Sequence, residues 1–172
     1  MMTSPTEHTA RPVRLIEGQS ASDRAARALA EYYAELDELL EGGFEPNLLD
    51  PVPHDDVTPP RGDFLLVTEL GTGKVLGCGG VRIRTDAEGT AAEGTAELQR
   101  MWLVPDVRGQ GLGRFLLRSL ENRARSLGAR RVVLSLNRSL QEAMALYEAA
   151  GYRPVEPYEE SPYVDVFLGK EL

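Results

Sequence analysis

The chain has 172 residues, of which 42% are hydrophobic and 27% charged, and its formal net charge is −8. This length and composition are typical of one globular domain, and no apolar run approaches the ~20 residues of a membrane span. The acidic balance argues against non-specific binding to nucleic acid or to an anionic membrane surface. A single cysteine, Cys78, excludes an internal disulfide and fits the reducing cytoplasm, where we expect the protein to act. We expect a short disordered tail over residues 1–11, without a secretory signal, and a single domain over residues 12–172.

The first third of the chain predicts one strand, one helix and a long loop. Residues 12–17 predict a short strand, and apolar residues at helical spacing predict a helix over residues 23–40, capped by Ser22. Five prolines between residues 45 and 62 exclude a regular helix or a central strand there. His54 lies in this segment and is interpreted as a loop histidine, so no metal-ligand spacing is present.

The next strands carry unusual glycines. Residues 64–70 and 75–84 predict a hairpin, and glycines at 77, 79 and 80 predict a bulge or the close approach of a ligand. Cys78, among them, is interpreted as a small buried residue and not as a catalytic thiol. Residues 95–104 predict a further strand, in which alternation places Leu98 and Trp102 on one face and Glu97 on the other.

A glycine-rich turn over residues 108–114 joins this strand to a predicted amphipathic helix over residues 112–127. Such a turn brings backbone N–H groups close to an anion at the helix N-terminus, so it predicts a phosphate site. A dinucleotide fingerprint would need a further glycine at Arg114 or Leu116, and a P-loop would need Lys-Ser or Lys-Thr where Arg114 and Phe115 stand. The pattern that remains is R-x-x-G-x-G. In the helix that follows, Phe115 is expected to face inward with the other apolar residues.

The last third predicts a parallel crossover and two final strands. Residues 132–136 predict a strand parallel to the previous one, since a helix crosses between them. The pattern Ser139-Leu-Gln-Glu142 predicts a capping box that opens the next helix, which ends at Gly151. Residues 152–155 and 162–168 predict the last two strands.

The loop Arg108-Gly-Gln-Gly-Leu-Gly113 after Val104-Pro105, and the pair Leu146-Tyr147 before Gly151, resemble the GNAT superfamily of N-acetyltransferases. The resemblance implies an α/β fold with a splayed, mostly antiparallel sheet of six to seven strands and about four helices. It also implies acetyl-coenzyme A as co-substrate, direct acetyl transfer to a primary amine, and no metal.

The resemblance assigns roles to particular residues. It implies that Tyr147 protonates the coenzyme thiolate and that Glu97 acts as general base, while a water chain, Glu159 or Glu160 stays open as the base. The family often carries asparagine where Leu140 stands, and Asn137 is expected to contact coenzyme in its place. The residues expected to bind coenzyme are Trp102, Leu103, Val104, Arg108, Gly109, Gln110, Gly111, Leu112, Gly113, Arg114 and Asn137.

Charge is unevenly distributed and suggests the acceptor. Residues 108–131 hold seven arginines and one acid, whereas residues 45–63 hold five acids and one arginine, and residues 155–165 hold four acids and no base. These acidic loops predict a small cationic amine as acceptor. A protein or peptide acceptor, a non-catalytic acyl-coenzyme A sensor and a nucleotide-binding protein stay open as alternatives, as does the choice between monomer and homodimer.

Overall fold

The computed structural model describes residues 11–48, 54–84 and 94–172, and this part of the chain forms seven strands and three α-helices. The strands are β1 (Val13–Ile16), β2 (Gly62–Glu69), β3 (Val75–Ile83), β4 (Thr95–Leu103), β5 (Arg131–Leu136), β6 (Arg153–Pro154) and β7 (Val166–Glu171). The helices are α1 (Asp23–Leu39), α2 (Leu112–Ser126) and α3 (Gln141–Ala149), and Pro46–Leu48, His54–Val57 and Pro105–Val107 form short 3₁₀ turns.

The strands form one mixed sheet in the order β1-β2-β3-β4-β5-β7-β6. Only β4 and β5 pair in parallel among the described strands, because α2 crosses between them, and all other neighbours pair antiparallel. The expected mixed, mostly antiparallel sheet is therefore confirmed.

Helices α1 and α2 cover opposite faces of the sheet. Along β2, Leu65 and Val67 join the core beneath α2, whereas Phe64 and Leu66 pack with α1. The predicted cap of α1 is confirmed, since the Ala25 N–H donates to the Ser22 hydroxyl at 3.0 Å. Both helices are therefore fixed against a sheet whose strands are buried on two sides.

A bulge in β4 reverses the alternation of its side chains. Arg100 has φ of 52°, and the β3–β4 register shifts between Cys78 and Gly80, so β4 contains one extra residue. As a result Leu98 packs on the α2 side and Trp102 on the α1 side. The prediction that these two residues share a face is wrong, because strict alternation does not hold across a bulge.

The glycines of β3 allow neighbouring elements to pack closely against this strand. The predicted bulge is confirmed by the pairing with β2, in which β3 has one extra residue between Val75 and Gly77. The close neighbour of Gly79 is Leu120 of α2, whose methyl lies 2.7 Å from the place a Cβ would occupy. The glycine therefore admits a helix side chain and not a ligand. Cys78 is fully buried, as predicted, and burial raises the pKa of its thiol to about 12.

Other details of the predictions differ from the structure. Leu140 caps α3 without a side-chain hydrogen bond, so the capping box predicted at Ser139 is not formed. Phe115 is 38% exposed and does not face inward. The final strand begins at Val166, four residues later than predicted. Residues 1–10 of the expected tail, residues 49–53 of the proline-rich loop and the side chain of His54 lie outside the described residues.

Asp63 joins three parts of the fold from a fully buried position. Its Oδ1 accepts the N–H groups of Gly18 and Phe64, both at 2.8 Å, and its Oδ2 accepts Arg123 Nε of α2 at 2.7 Å. A buried carboxylate with this many donors holds the loop before α1, strand β2 and helix α2 together.

We expect Asp63→Asn to lower the free energy of unfolding by about 3 kcal/mol, because it leaves the partly buried Arg123 without its counter-charge. Urea unfolding followed by circular dichroism measures the change. Glu38→Gln, on the exposed face of α1, is the control and should change stability by less than about 0.5 kcal/mol. Equal stability of the two variants would show that Asp63 is not such a junction.

Candidate active site

A cleft of about 1100 Å³ opens where β4 and β5 part. The two strands pair only from Thr95 to Glu97 and from Arg131 to Val133, after which their backbones separate. Residues 98–103 of β4 and 134–136 of β5 line the cleft, together with the second half of α1, the glycine turn, α3 and residues 158–164. The predicted splay of the sheet is thus present and creates the cavity.

The glycine turn forms one end of the cleft and presents an uncapped helix. Gly109 and Gly111 have φ of 75° and 84°, a left-handed conformation that favours glycine. Gly111 is the N-cap residue of α2 and makes no side-chain capping bond. Gly113 lies under α3, with Leu146 3.3 Å from the place a Cβ would occupy. The first turn of this 15-residue helix can therefore receive a phosphate.

The other residues expected in this turn differ in exposure. Leu112 is buried in the core, whereas Gln110 and Arg114 are exposed, and the Gln110 amide donates to the Asp106 carbonyl at 3.2 Å. Of these side chains, only Arg114 offers a positive charge to an anion held by the turn.

The side chain of Arg108 braces the turn. Its guanidinium donates to both carboxylate oxygens of Glu35, each at 2.7 Å, and twice to the Leu103 carbonyl, at 3.1 and 2.8 Å. These bonds to Arg108 lower the pKa of Glu35. Sequence analysis missed Glu35, because one acid on the polar side of a helix carries no signal of its partner.

Trp102 joins the same group through its side chain. Its indole N–H donates to Glu35 at 2.6 Å, and its ring stacks on Tyr32 with centroids 6.4 Å apart. The backbone groups expected to be free near it are only partly so. The Val104 N–H donates to the Leu76 carbonyl at 2.8 Å, because β4 is still paired with β3 at that residue, and the Leu103 carbonyl is occupied by Arg108.

Tyr147 lies in the cleft wall and is 7% exposed. Its hydroxyl is 3.7 Å from the sulfur of Met101, and its ring meets Tyr152 edge to face. Burial raises the pKa of Tyr147 to about 12, so its hydroxyl is protonated at neutral pH. This tyrosine can donate a proton or a hydrogen bond to a group in the cleft.

Asn137 shapes the turn between β5 and α3. Its amide oxygen accepts the Ser139 N–H at 2.9 Å and the Ser139 hydroxyl at 2.6 Å, and its amide nitrogen donates to the Tyr163 carbonyl at 3.1 Å. Its oxygen is therefore occupied by the turn, while Asn137 also lines the cleft, and its contact with coenzyme stays a prediction.

Glu97 lies in a buried ion-pair cluster at the other end of the cleft. Its Oε2 accepts Arg82 at 3.1 and 3.3 Å and Arg84 at 2.8 Å, and its Oε1 accepts the Gln99 amide at 3.1 Å. The guanidinium of Arg84 also stacks 4.4 Å from the Tyr158 ring centroid. Glu97 thus faces the cleft, as expected, but with most of its lone pairs in use.

Nearby, Glu159 carries far fewer bonds. Its carboxylate accepts the Ser135 hydroxyl, and both residues line the cleft with Tyr158. Burial, followed by the charges of Glu97 and Glu159, raises the pKa of Tyr158 well above its ordinary value. This end of the cleft therefore holds two carboxylates that differ in how fully they are hydrogen-bonded.

Several acidic side chains of the two acidic loops form ion pairs. Asp56 pairs with Arg61 and Arg82, both at 3.5 Å, and Asp165 pairs with Arg138 at 2.7 Å. Among the described residues of these two segments, Asp56, Asp63 and Asp165 therefore have arginine partners from other parts of the chain, whereas Glu159 and Glu160 form no ion pair.

Two further classes of site are not found in the described ranges. No three histidine, cysteine or acidic side chains there lie close enough together to hold a metal ion. None of the helices described is sufficiently long and apolar to cross a bilayer.

The chain is similar in sequence to known acetyltransferases. The acetyltransferase (GNAT) family matches residues 26–152. The IAA acetyltransferase of Azospirillum brasilense is 35% identical over 112 residues, or 63% of this chain and 67% of that protein. The uncharacterized N-acetyltransferase YjgM of Escherichia coli is 36% identical over 84 residues, so the chain spans about half of its length, 48%.

Solved structures resemble the whole sheet. An acyl-CoA N-acyltransferase, provisionally assigned, from Klebsiella pneumoniae has a TM-score of 0.70 at 26% identity, over 93% of this chain and 97% of that one. A Sinorhizobium meliloti phosphinothricin acetyltransferase in complex with acetyl-coenzyme A has a TM-score of 0.66 at 18% identity, over 93% and 88%. With its glycine turn, parted strands and matching family segment, the chain belongs to the GNAT family of acetyltransferases.

Proposed function

We propose that the protein transfers an acetyl group from acetyl-coenzyme A directly to a primary amine. The observation that carries the proposal is the uncapped N-terminus of α2, which opens through two left-handed glycines onto the same cleft as Tyr147. The coenzyme pyrophosphate would lie on the N–H groups of this turn, with Arg114 beside it, and its thioester would reach between the parted strands.

The chemistry requires one bond to form and one to break. The amine nitrogen attacks the thioester carbonyl carbon, the carbon–sulfur bond breaks, and the acetyl group stays on nitrogen. The departing thiolate takes a proton, for which Tyr147 is the donor we propose, because in the described residues its buried hydroxyl hydrogen-bonds only the Met101 sulfur. The amine loses a proton to a base in the same cleft.

Two carboxylates compete for the role of base. Glu97 is the sequence candidate, and one lone pair of its Oε1 stays available beside four accepted hydrogen bonds. Glu159 accepts only the Ser135 hydroxyl in the described contacts, so it can take a proton without breaking an ion pair. We propose Glu159 on this ground and retain Glu97 as the alternative.

The acceptor is proposed as a primary amine. The charge argument for a cationic amine loses Asp56, Asp63 and Asp165, which each pair with an arginine, and keeps Glu159 and Glu160, which line the cleft without an ion pair in the described residues. A non-catalytic acyl-coenzyme A sensor would use the same glycine turn, so it is distinguished below by whether Tyr147 affects turnover.

Substituting Gly111 tests the glycine turn. We expect Gly111→Ala to weaken acetyl-coenzyme A binding about 10-fold, because a Cβ at φ of 84° is strained and shifts the N–H groups. Isothermal titration measures the affinity. Gly128→Ala is a matched control, since Gly128 has φ of 94°, equally open surroundings, and a place beyond the other end of α2. An equal loss of affinity in both variants would show that the turn does not bind the coenzyme.

Substituting Tyr147 tests the proton donor. We expect Tyr147→Phe to lower kcat about 100-fold and leave acetyl-coenzyme A affinity unchanged, because only proton donation is lost. Since the pKa of Tyr147 is raised to about 12, its ionisation should not reduce wild-type kcat below a pH of about 11. Thiol release with a panel of amines measures the rate. Tyr152→Phe, whose hydroxyl bonds Glu121 outside the cleft, should retain kcat. Unchanged turnover in Tyr147→Phe would favour another donor, and no turnover in the wild type would favour a sensor.

The pH dependence distinguishes the two bases. A base must be deprotonated, so kcat/KM falls as pH drops through its pKa in the free enzyme. We expect Glu159→Gln to remove this acidic limb and lower kcat/KM at least 10-fold, while Glu97→Gln retains the limb. The opposite result would return the role to Glu97.

A further inference from the structure

Arg100 is an unexplained cation in the cleft. Arg82, Arg84 and Arg108 line the same cavity, and each pairs with a carboxylate. Arg100 is half-buried and lines the cavity too, but it forms no ion pair with any residue in the described ranges. A partly desolvated guanidinium without a counter-charge is unfavourable unless a ligand supplies one.

The backbone at Arg100 is strained in a way that directs this side chain. Its φ of 52° lies in the left-handed region, which is strained for a residue with a Cβ. The bulge turns β4 so that Arg100 reaches the α1 side, where its guanidinium interacts with the Tyr33 hydroxyl. Strain of this kind is concentrated at ligand sites, where it orients a functional group.

Gln99, the preceding residue, supplies an unused acceptor. Its amide nitrogen donates to Glu97, and this contact fixes the amide because the opposite orientation would place oxygen against the carboxylate. The Gln99 Oε1 atom is then buried without a partner in the described structure. A buried acceptor in this state fits an N–H donor from a ligand.

We propose that the acceptor amine carries an anionic group, a carboxylate in the first instance, which binds Arg100 while its N–H groups reach Gln99. This inference rests on the proposed acetyl transfer and gives its acceptor a class, amino acids. The Tyr32 hydroxyl interacts electrostatically with both Arg100 and Tyr147, so a carboxylate on Arg100 holds the nearby amine close to the proposed proton donor.

The wall beside Arg100 indicates the rest of the acceptor. Trp102, Tyr32, Tyr33, Phe44 and Tyr163 form a continuous series of rings, with successive centroids 6.4, 5.8, 5.3 and 4.7 Å apart. All five line the cleft. Aromatic surface of this extent suits an apolar or aromatic side chain, so phenylalanine is the first probe.

The test compares three amines that share one aromatic part: phenylalanine, phenylalaninamide and phenethylamine. We expect wild-type kcat/KM to be at least 10-fold higher for phenylalanine than for the other two, since only its carboxylate pairs with Arg100. Arg100→Met should lower kcat/KM for phenylalanine about 30- to 100-fold, through KM, and leave phenethylamine and the KM for acetyl-coenzyme A unchanged. Arg100→Lys should restore part of the loss.

Arg14→Met on the exposed face of β1 is the control and should match the wild type with every amine. The proposal fails if phenethylamine is the better substrate, if Arg100→Met affects all three amines equally, or if it weakens coenzyme binding instead. Should no amine be turned over, binding of millimolar phenylalanine to the coenzyme A complex decides, and absence of binding overturns the proposal. If the wild type does not bind acetyl-coenzyme A at all, the proposed function itself is contradicted.

Discussion

The parting of β4 from β5 is the constraint on which the site depends. Parallel neighbours normally continue their hydrogen bonds along both strands, yet these two stop after Thr95 to Glu97. Beyond that point the backbone of β4 must find other partners or meet solvent or a ligand. The bulge at Arg100 falls in the unpaired part, where one extra residue disturbs only the β3 side of the ladder. The separation of β4 from β5 therefore opens the cavity. It also permits the bulge in β4, which changes the face to which the following side chains point.

An open cleft needs a device that holds its walls in place, and Glu35 provides one. It accepts hydrogen bonds from Arg108 of the glycine turn and from Trp102 of β4, and Arg108 in turn holds the Leu103 carbonyl. Helix α1, the end of β4 and the glycine turn are thereby joined by charge-assisted bonds at 2.6 to 2.8 Å. Movement of α1 would strain the glycine turn, so the helix and the turn are mechanically linked.

Much of the fold could be predicted from the sequence, and the failures have a common physical origin. Periodicity and glycine placement predicted the helices, the hairpin and the turn at residues 108–114, because these depend on neighbours in the chain. The bulge at Arg100 could not be predicted, since it depends on how β3 and β4 register. Glu35 and the pairing of Asp56 with Arg82 were missed for the same reason, because these ion pairs join residues far apart in sequence.

The charge that a ligand meets in this protein depends on which side chains are paired and not on the net charge of a segment. Counting residues suggested a basic donor end and acidic loops, but the fold pairs Asp63 with Arg123 and Asp165 with Arg138, and so reduces that contrast. The charge that a ligand would meet is the one left over after pairing, and on the α1 side of the cleft that is Arg100. Because desolvated charges attract opposite charges far more strongly than solvated ones, one unpaired guanidinium outweighs several acids already satisfied by arginine. The donor side that we propose, by contrast, relies on backbone N–H groups, which any sequence with glycines at 109 and 111 can present. On this proposal, acceptor choice depends on a few side chains in β4 that can change without disturbing the glycine turn.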